Sequence, residues 1–139
     1  MTLIGRLHPL AIHFPIALVL VALCAEVAAV MTHDDRWHIV AIANLRAGAL
    51  SALIAAAAGW LLARSAFVEP TSLLEAHRWL GTLAAGMTLA AALATASRRK
   101  DSPMKRAIYW IVLCVAGALV GITAHLGGLL VWGADFLRL

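Results

Sequence analysis

The sequence predicts an all-α integral membrane protein, a four-helix up-and-down bundle forming a single four-span domain over residues 1–139. Three observations predict it. The chain is 63% hydrophobic and only 13% charged, where a soluble domain is about 45–50% apolar and about 25% charged. Four apolar stretches reach the length of about 20 residues at which a helix crosses a hydrocarbon core of roughly 30 Å. The segments between them are short, which makes consecutive helices antiparallel neighbours. Water is therefore not the main solvent of this chain.

The first stretch, residues 9–31, opens within LHPLAIHFPIAL, Leu7 to Leu18. Pro9 suits a first helical turn, where its missing N–H has no partner anyway. Pro15 removes a backbone bond from a helix already begun, so a kink is expected there. The stretch is too long, and its positive start too slight with Arg6 alone, for a cleaved secretion signal. A polar turn from Thr32 to Arg36 separates it from the second stretch, 39–62, which is alanine-rich with Gly48 and Gly59 as small contact points. After a loop over 64–70, the third stretch, 73–96, enters on Ser72 with Glu75 three residues later, a capping-box pattern. The fourth, 107–132, follows Pro103 and passes Gly117, Gly121, Gly127 and Gly128, which allow close helix contact in lipid. No internal repeat of 20–50 residues stands out. Cys24 and Cys114 lie inside apolar stretches and are expected to be small buried hydrophobes rather than a disulfide.

A net charge of +4 and an isoelectric point near 9.8 do not point to nucleic acid, because the basic residues cluster in one short loop. Arg98, Arg99, Lys100, Lys105 and Arg106 share a side with Arg36, against Arg6, Arg64, Arg78 and Arg138 opposite. The positive-inside tendency then puts both termini in the periplasm of a bacterial inner membrane. Trp60, Trp79 and Trp132 fall at the outer interface and Trp37 and Trp110 at the inner one, an aromatic belt.

The histidines carry the functional reading. His8, His13, His77 and His125 fall at similar depth in the outer leaflet, contributed by three helices, while His33 and His38 look solvated at the inner boundary. Ionisable groups inside a membrane face a bundle interior or a water-filled cavity. A shared site is expected, although any one ring could simply donate to a backbone carbonyl. Haem b is the first guest to consider, since imidazoles on two helices supply both axial ligands to its iron. His13 with His125 is the preferred axial pair and His77 an alternative partner; spacing does not choose between them. Gly127 and Gly128 after His125, and Gly81 one turn after His77, leave room for a flat macrocycle. Arg78 is placed to pair with a propionate. The alternative is a copper or zinc ion held directly by His8, His13, His77 and His125. A single site is expected, because His33 and His38 are poorly placed for a second. Glu26 and Arg46, near the inner ends of adjacent stretches, are expected to form a buried ion pair. A proton entry point or quinone-head contact is the sharper alternative.

Three motifs, LHPLAIHFPIALVL, the His77-Arg78-Trp79 entry to the third stretch and the late AHLGGLLVWG, resemble a bacterial family of predicted membrane proteins called domain of unknown function 2231. The resemblance covers nearly the whole chain and carries over His8, Pro9, His13, Phe14, Pro15, His125, Gly127 and Gly128. It implies a four-span bundle and, because some relatives are fused to or sit beside c-type cytochrome modules, an electron-transfer setting. The expected function is a membrane b-type cytochrome passing electrons between a donor such as a quinol and a periplasmic redox partner. Whether it is a haem-dependent oxidoreductase or a carrier with no reaction of its own stays open. The alternatives are a histidine-based copper or zinc protein and a non-catalytic subunit or assembly factor, in a homo-oligomer or a larger membrane complex.

Overall fold

The computed structural model describes residues 7–65, 68–95 and 102–133, and these are almost wholly helical. The elements are α1 (His8–Ala11), α2 (His13–Thr32), α3 (Arg36–Ala63), α4 (Ser72–Ala94) and α5 (Pro103–Trp132). The helix is interrupted at Ile12, between α1 and α2, three residues before Pro15. Pro15 has no N–H, and its ring crowds the carbonyl four residues back, that of Ala11. Ile12 keeps helical angles (φ −64°, ψ −25°), so α1 and α2 run on as one span, His8–Thr32.

Each end has a local cause. α2 stops where His33 turns left-handed (φ 55°), and Asp34 Oδ1 then accepts from the backbone N–H of Arg36 at 2.9 Å as α3 begins. The capping box expected from Ser72 and Glu75 does not form. Thr71 is the cap instead, its Oγ1 accepting from Leu74 N at 3.1 Å, and Ser72 is already helical. Pro103 opens α5 behind the Ser102 cap.

Among the described residues, three helices are long and apolar enough to cross a membrane: His8–Thr32, Arg36–Ala63 and Pro103–Trp132. Four were expected. α4 falls outside that set because its opening turns carry Glu75, His77 and Arg78, although its 23 residues give a rod of roughly 34 Å at about 1.5 Å per residue.

α2 packs on α3 and α5, and α4 packs on the same two helices. The interior is built from small residues, among them Ala22, Ala25, Ala49, Ala52, Ala91 and Ala116, around a few large ones such as Leu45, Tyr109 and Leu113. Large aliphatic side chains point outward instead, including Leu50, Ile54, Leu93, Ile111 and Val131. A water-soluble surface does not carry apolar area on this scale, whereas small interfaces and an aliphatic exterior suit lipid. Cys24 and Cys114 are exposed on that exterior and not buried as expected; both are free thiols. Arg6, Arg98, Arg99, Lys100 and Arg138, on which the orientation argument leans, lie outside the described residues.

The close approach of α2 to its neighbours gives a direct test. Ala22 is fully buried, so Ala22→Leu is expected to cost about 1–3 kcal/mol by overpacking, read as a lower thermal unfolding temperature in detergent. Leu50→Ala, on the exterior, is expected to change it little.

Candidate functional site

One end of the bundle holds a cavity of about 510 Å³ between α1, α2, α3, α4 and α5. Its walls are mainly apolar, with Ile12, Ile16 and Val120 among them, and two imidazoles, His8 and His77, reach into it.

Each imidazole is held by a backbone carbonyl on the next helix. His8 Nδ1 lies 2.9 Å from the Ala55 carbonyl oxygen on α3. His77 Nδ1 lies 3.1 Å from that of Thr123 on α5. A carbonyl can only accept, so both rings carry a proton on Nδ1 and, when neutral, keep the Nε2 lone pair free for a ligand. Imidazoles that bind metals are oriented by this kind of second hydrogen bond. The two ring centroids are 6.2 Å apart and their planes 80° apart.

A glycine one turn beyond each carbonyl makes room for the ring. A Cβ on Gly59 would sit 2.8 Å from His8 Cε1, and one on Gly127 would sit 3.1 Å from His77 Cε1. The same device thus occurs twice, as Ala55 with Gly59 and as Thr123 with Gly127. It belongs to an internal correspondence that runs through the bundle. His8 and His77 are 69 positions apart, and at that offset buried Val19, Ala22 and Glu26 match buried Thr88, Ala91 and Thr95. On the second helix of each half the offset is 68, matching Ala41, Leu45, Ala52 and Gly59 to Tyr109, Leu113, Val120 and Gly127. The two halves therefore present their histidines to each other in equivalent ways.

The rim is polar and aromatic. The Arg78 guanidinium lies 3.9 Å over the Trp60 ring, a cation–π contact. Trp60 meets Trp79 edge-on at 5.4 Å and donates from Nε1 to Thr82 Oγ1 at 2.9 Å. Arg78 Nε and Thr123 Oγ1 are both buried without a hydrogen-bond partner among the described residues. Arg78 is thus fixed at the cavity edge with a donor to spare, the chemistry that receives a carboxylate.

The family described as Predicted membrane protein (DUF2231) matches residues 6–136. The chain belongs to it. No curated protein and no solved structure matches the chain.

The structure of this DUF2231 protein sorts the expected site residues. His77, Arg78, Gly81 and Gly127 line the cavity, as does His8. His13 and His125, the preferred axial pair, do not line it; both side chains are on exposed faces. Gly128 is also off the cavity wall, and a Cβ there would meet nothing within 4 Å. Gly59, Trp60 and the two carbonyls were not singled out beforehand for the site. Among the described residues no group of three or more His, Cys, Asp and Glu side chains converges on one point.

The second polar cluster also differs from expectation. Glu26 does not pair with Arg46. Glu26 Oε1 accepts from Tyr109 Oη, and its Oε2 lies 2.8 Å from His38 Nδ1. Arg46 donates to Thr95 Oγ1 at 3.3 Å instead. His38 is therefore a buried carboxylate's partner rather than a solvated surface residue.

Proposed function

We propose that this DUF2231 protein is a small b-type cytochrome of the bacterial inner membrane, binding one haem between His8 and His77. In this reading the chain is one up-and-down four-helix domain with α4 as its fourth span and both termini in the periplasm. The observation that carries it is the facing pair of imidazoles, each with Nδ1–H tied to a carbonyl across an apolar cavity.

The residues fit such a group on four counts. A metal held between the two rings at the roughly 2.0–2.1 Å that zinc keeps from an imidazole nitrogen, with about 1.1 Å from each nitrogen to its ring centre for bonds near 1.33 Å, would set the centroids roughly 6.4 Å apart. The observed centroid separation is 6.2 Å. The cavity volume of about 510 Å³ falls within the range of about 300–1,000 Å³ typical of cofactor pockets. Arg78, with a buried Nε that has no partner among the described residues, suits a propionate. Two imidazoles are the protein donor set that a haem iron takes, whereas zinc takes three or four protein ligands.

When bound, the haem supplies a one-electron couple. His8 and His77 would hold it, and the Ala55 and Thr123 carbonyls, by accepting from Nδ1–H, leave each neutral ring's Nε2 unprotonated. Gly59 and Gly127 admit the rings. Gly81, where a Cβ would come within 3.3 Å of Thr123, keeps α4 close to α5. Trp60 holds Arg78 at the rim. The membrane-facing exterior leaves a lipid-soluble donor such as a quinol free to approach, and the exposed end serves a periplasmic acceptor.

The test is a reduced-minus-oxidised absorption spectrum of the protein purified after expression with haem available. A Soret band with sharp α and β bands on reduction, at about one haem per chain, is expected. A colourless protein, or one loaded with copper or zinc and no iron, contradicts the proposal.

A further inference from the structure

At the end of the bundle away from the cavity, Glu26, His38 and Tyr109 make a polar cluster that the haem reading does not use. We propose that it is a proton-loading site, filled from bulk water through His38. Thirteen residues of helix separate Glu26 from His13, about 20 Å, so the cluster is remote from the imidazole pair.

The geometry is a graded path from water inward. The Asp35 side chain is fully exposed, His38 is 31% exposed and Glu26 is 0% exposed. Asp35 Oδ1 is 3.9 Å from His38 Nε2, and His38 Nδ1 is 2.8 Å from Glu26 Oε2. Tyr109 Oη donates to the other carboxyl oxygen at 2.8 Å. Tyr109 also packs in the core, whereas Glu26 is a buried charge that packing alone does not require. Their counterparts in the second half are Thr95 for Glu26, Arg106 for His38 and, in the reverse sense, Ala41 for Tyr109. These positions correspond between the halves but carry different residue types, whereas the cavity repeats the same histidine and glycine.

The proton moves without a co-reactant. A proton from water binds His38 Nε2, forming an N–H bond there. The Nδ1–H bond breaks as its proton passes to Glu26 Oε2, forming an O–H bond. The cluster gains one proton, and the imidazole ends neutral in its other tautomer, now accepting from the carboxyl. Tyr109 donates to Oε1 in both states and holds the carboxyl in place. Among the described residues, the other titratable or charged groups at this end are His33, Asp34, Asp35 and Arg36 in the turn, Arg46 on α3, and Lys105 and Arg106 on α5; Arg98, Arg99, Lys100 and Asp101, between α4 and α5, lie outside the described residues.

The experiment is infrared difference spectroscopy of the full chain in lipid nanodiscs, between about pH 5 and about pH 9. A protonated-carboxyl band that shifts in heavy water is expected in the wild type and absent in Glu26→Gln. In His38→Phe its deuterium exchange is expected to slow by about 10²-fold, the lower range for a positioned proton-transfer group, with imidazole added to the solvent restoring the rate. Tyr109→Phe is expected to keep the band but shift its frequency. A wild type without such a band, a band unchanged in Glu26→Gln or Tyr109→Phe, or an exchange rate unchanged in His38→Phe overturns the proposal.

Discussion

His8→Ala and His77→Ala are each expected to abolish stoichiometric haem binding, while His13→Ala and His125→Ala leave it intact. The two pairs lie at similar depths along their helices, so depth alone does not separate them. Only His8 and His77 line the cavity and have a carbonyl fixing Nδ1. In the proposed reading each alanine removes one of the two imidazoles that would hold the haem and leaves a hole beside a glycine whose missing Cβ clears the ring. Haem content per chain, measured by pyridine haemochrome on the four purified variants, checks this. Loss in His13→Ala or His125→Ala with retention in His8→Ala assigns the ligands to the other pair.

Gly59→Val is expected to lower haem content at least about tenfold and to cost about 1–3 kcal/mol of stability. Its Cβ would stand 2.8 Å from His8 Cε1 and 3.1 Å from Nδ1, and the added methyl groups leave the ring no place against the Ala55 carbonyl. His8 must swing off that carbonyl, and with it goes the fixed tautomer. Displaced orienting bonds alone reduce metal affinity by about 10–100-fold. Gly127→Ala is the milder counterpart, since its Cβ would lie 3.1 Å from His77 Cε1, close enough that a shift of a few tenths of an ångström relieves it. Haem titration and thermal unfolding of both variants measure the difference. Equal affinity in Gly59→Val and wild type sinks the claim that the glycine clears the ring.

The sequence reported depth well and azimuth poorly. Apolar length and the positions of the turns place His8, His13, His77 and His125 near one end of the bundle. Which side of its helix each occupies depends on the buried stripe, and that stripe is made of alanines rather than large residues, so hydrophobicity does not mark it. Small residues do. On α2 the buried positions are Pro15, Val19, Ala22, Ala25, Glu26 and Ala29; His8 is seven residues before Pro15, about two turns, and falls in line with them. His13 is nine residues before Ala22, about two and a half turns, and faces the opposite way. His125 stands in the same relation to Ala116 on α5, while His77 is seven residues before buried Ala84 on α4.

The internal correspondence was also present in the sequence and went unseen. Its offset near 69 lies outside the periods of common repeats, and identical residues are few: the histidines, the glycines and scattered alanines and leucines. The same sparseness hid Tyr109 as the partner of Glu26, because a tyrosine 83 positions away carries no local signal. Pro15 was legible because its effect on Ala11 is local. The Thr71 cap was missed in favour of Ser72, one residue on, since both side chains can cap and only backbone geometry decides.

The most direct measurement is an electron paramagnetic resonance spectrum of the oxidised, haem-loaded protein, which reports the iron's axial ligands. The account predicts a low-spin ferric signal from two nitrogen ligands, of the large-anisotropy type that imidazole planes 80° apart produce, lost in His8→Ala and in His77→Ala. A high-spin signal, a sulfur-ligated one, or a low-spin signal untouched by both substitutions contradicts it.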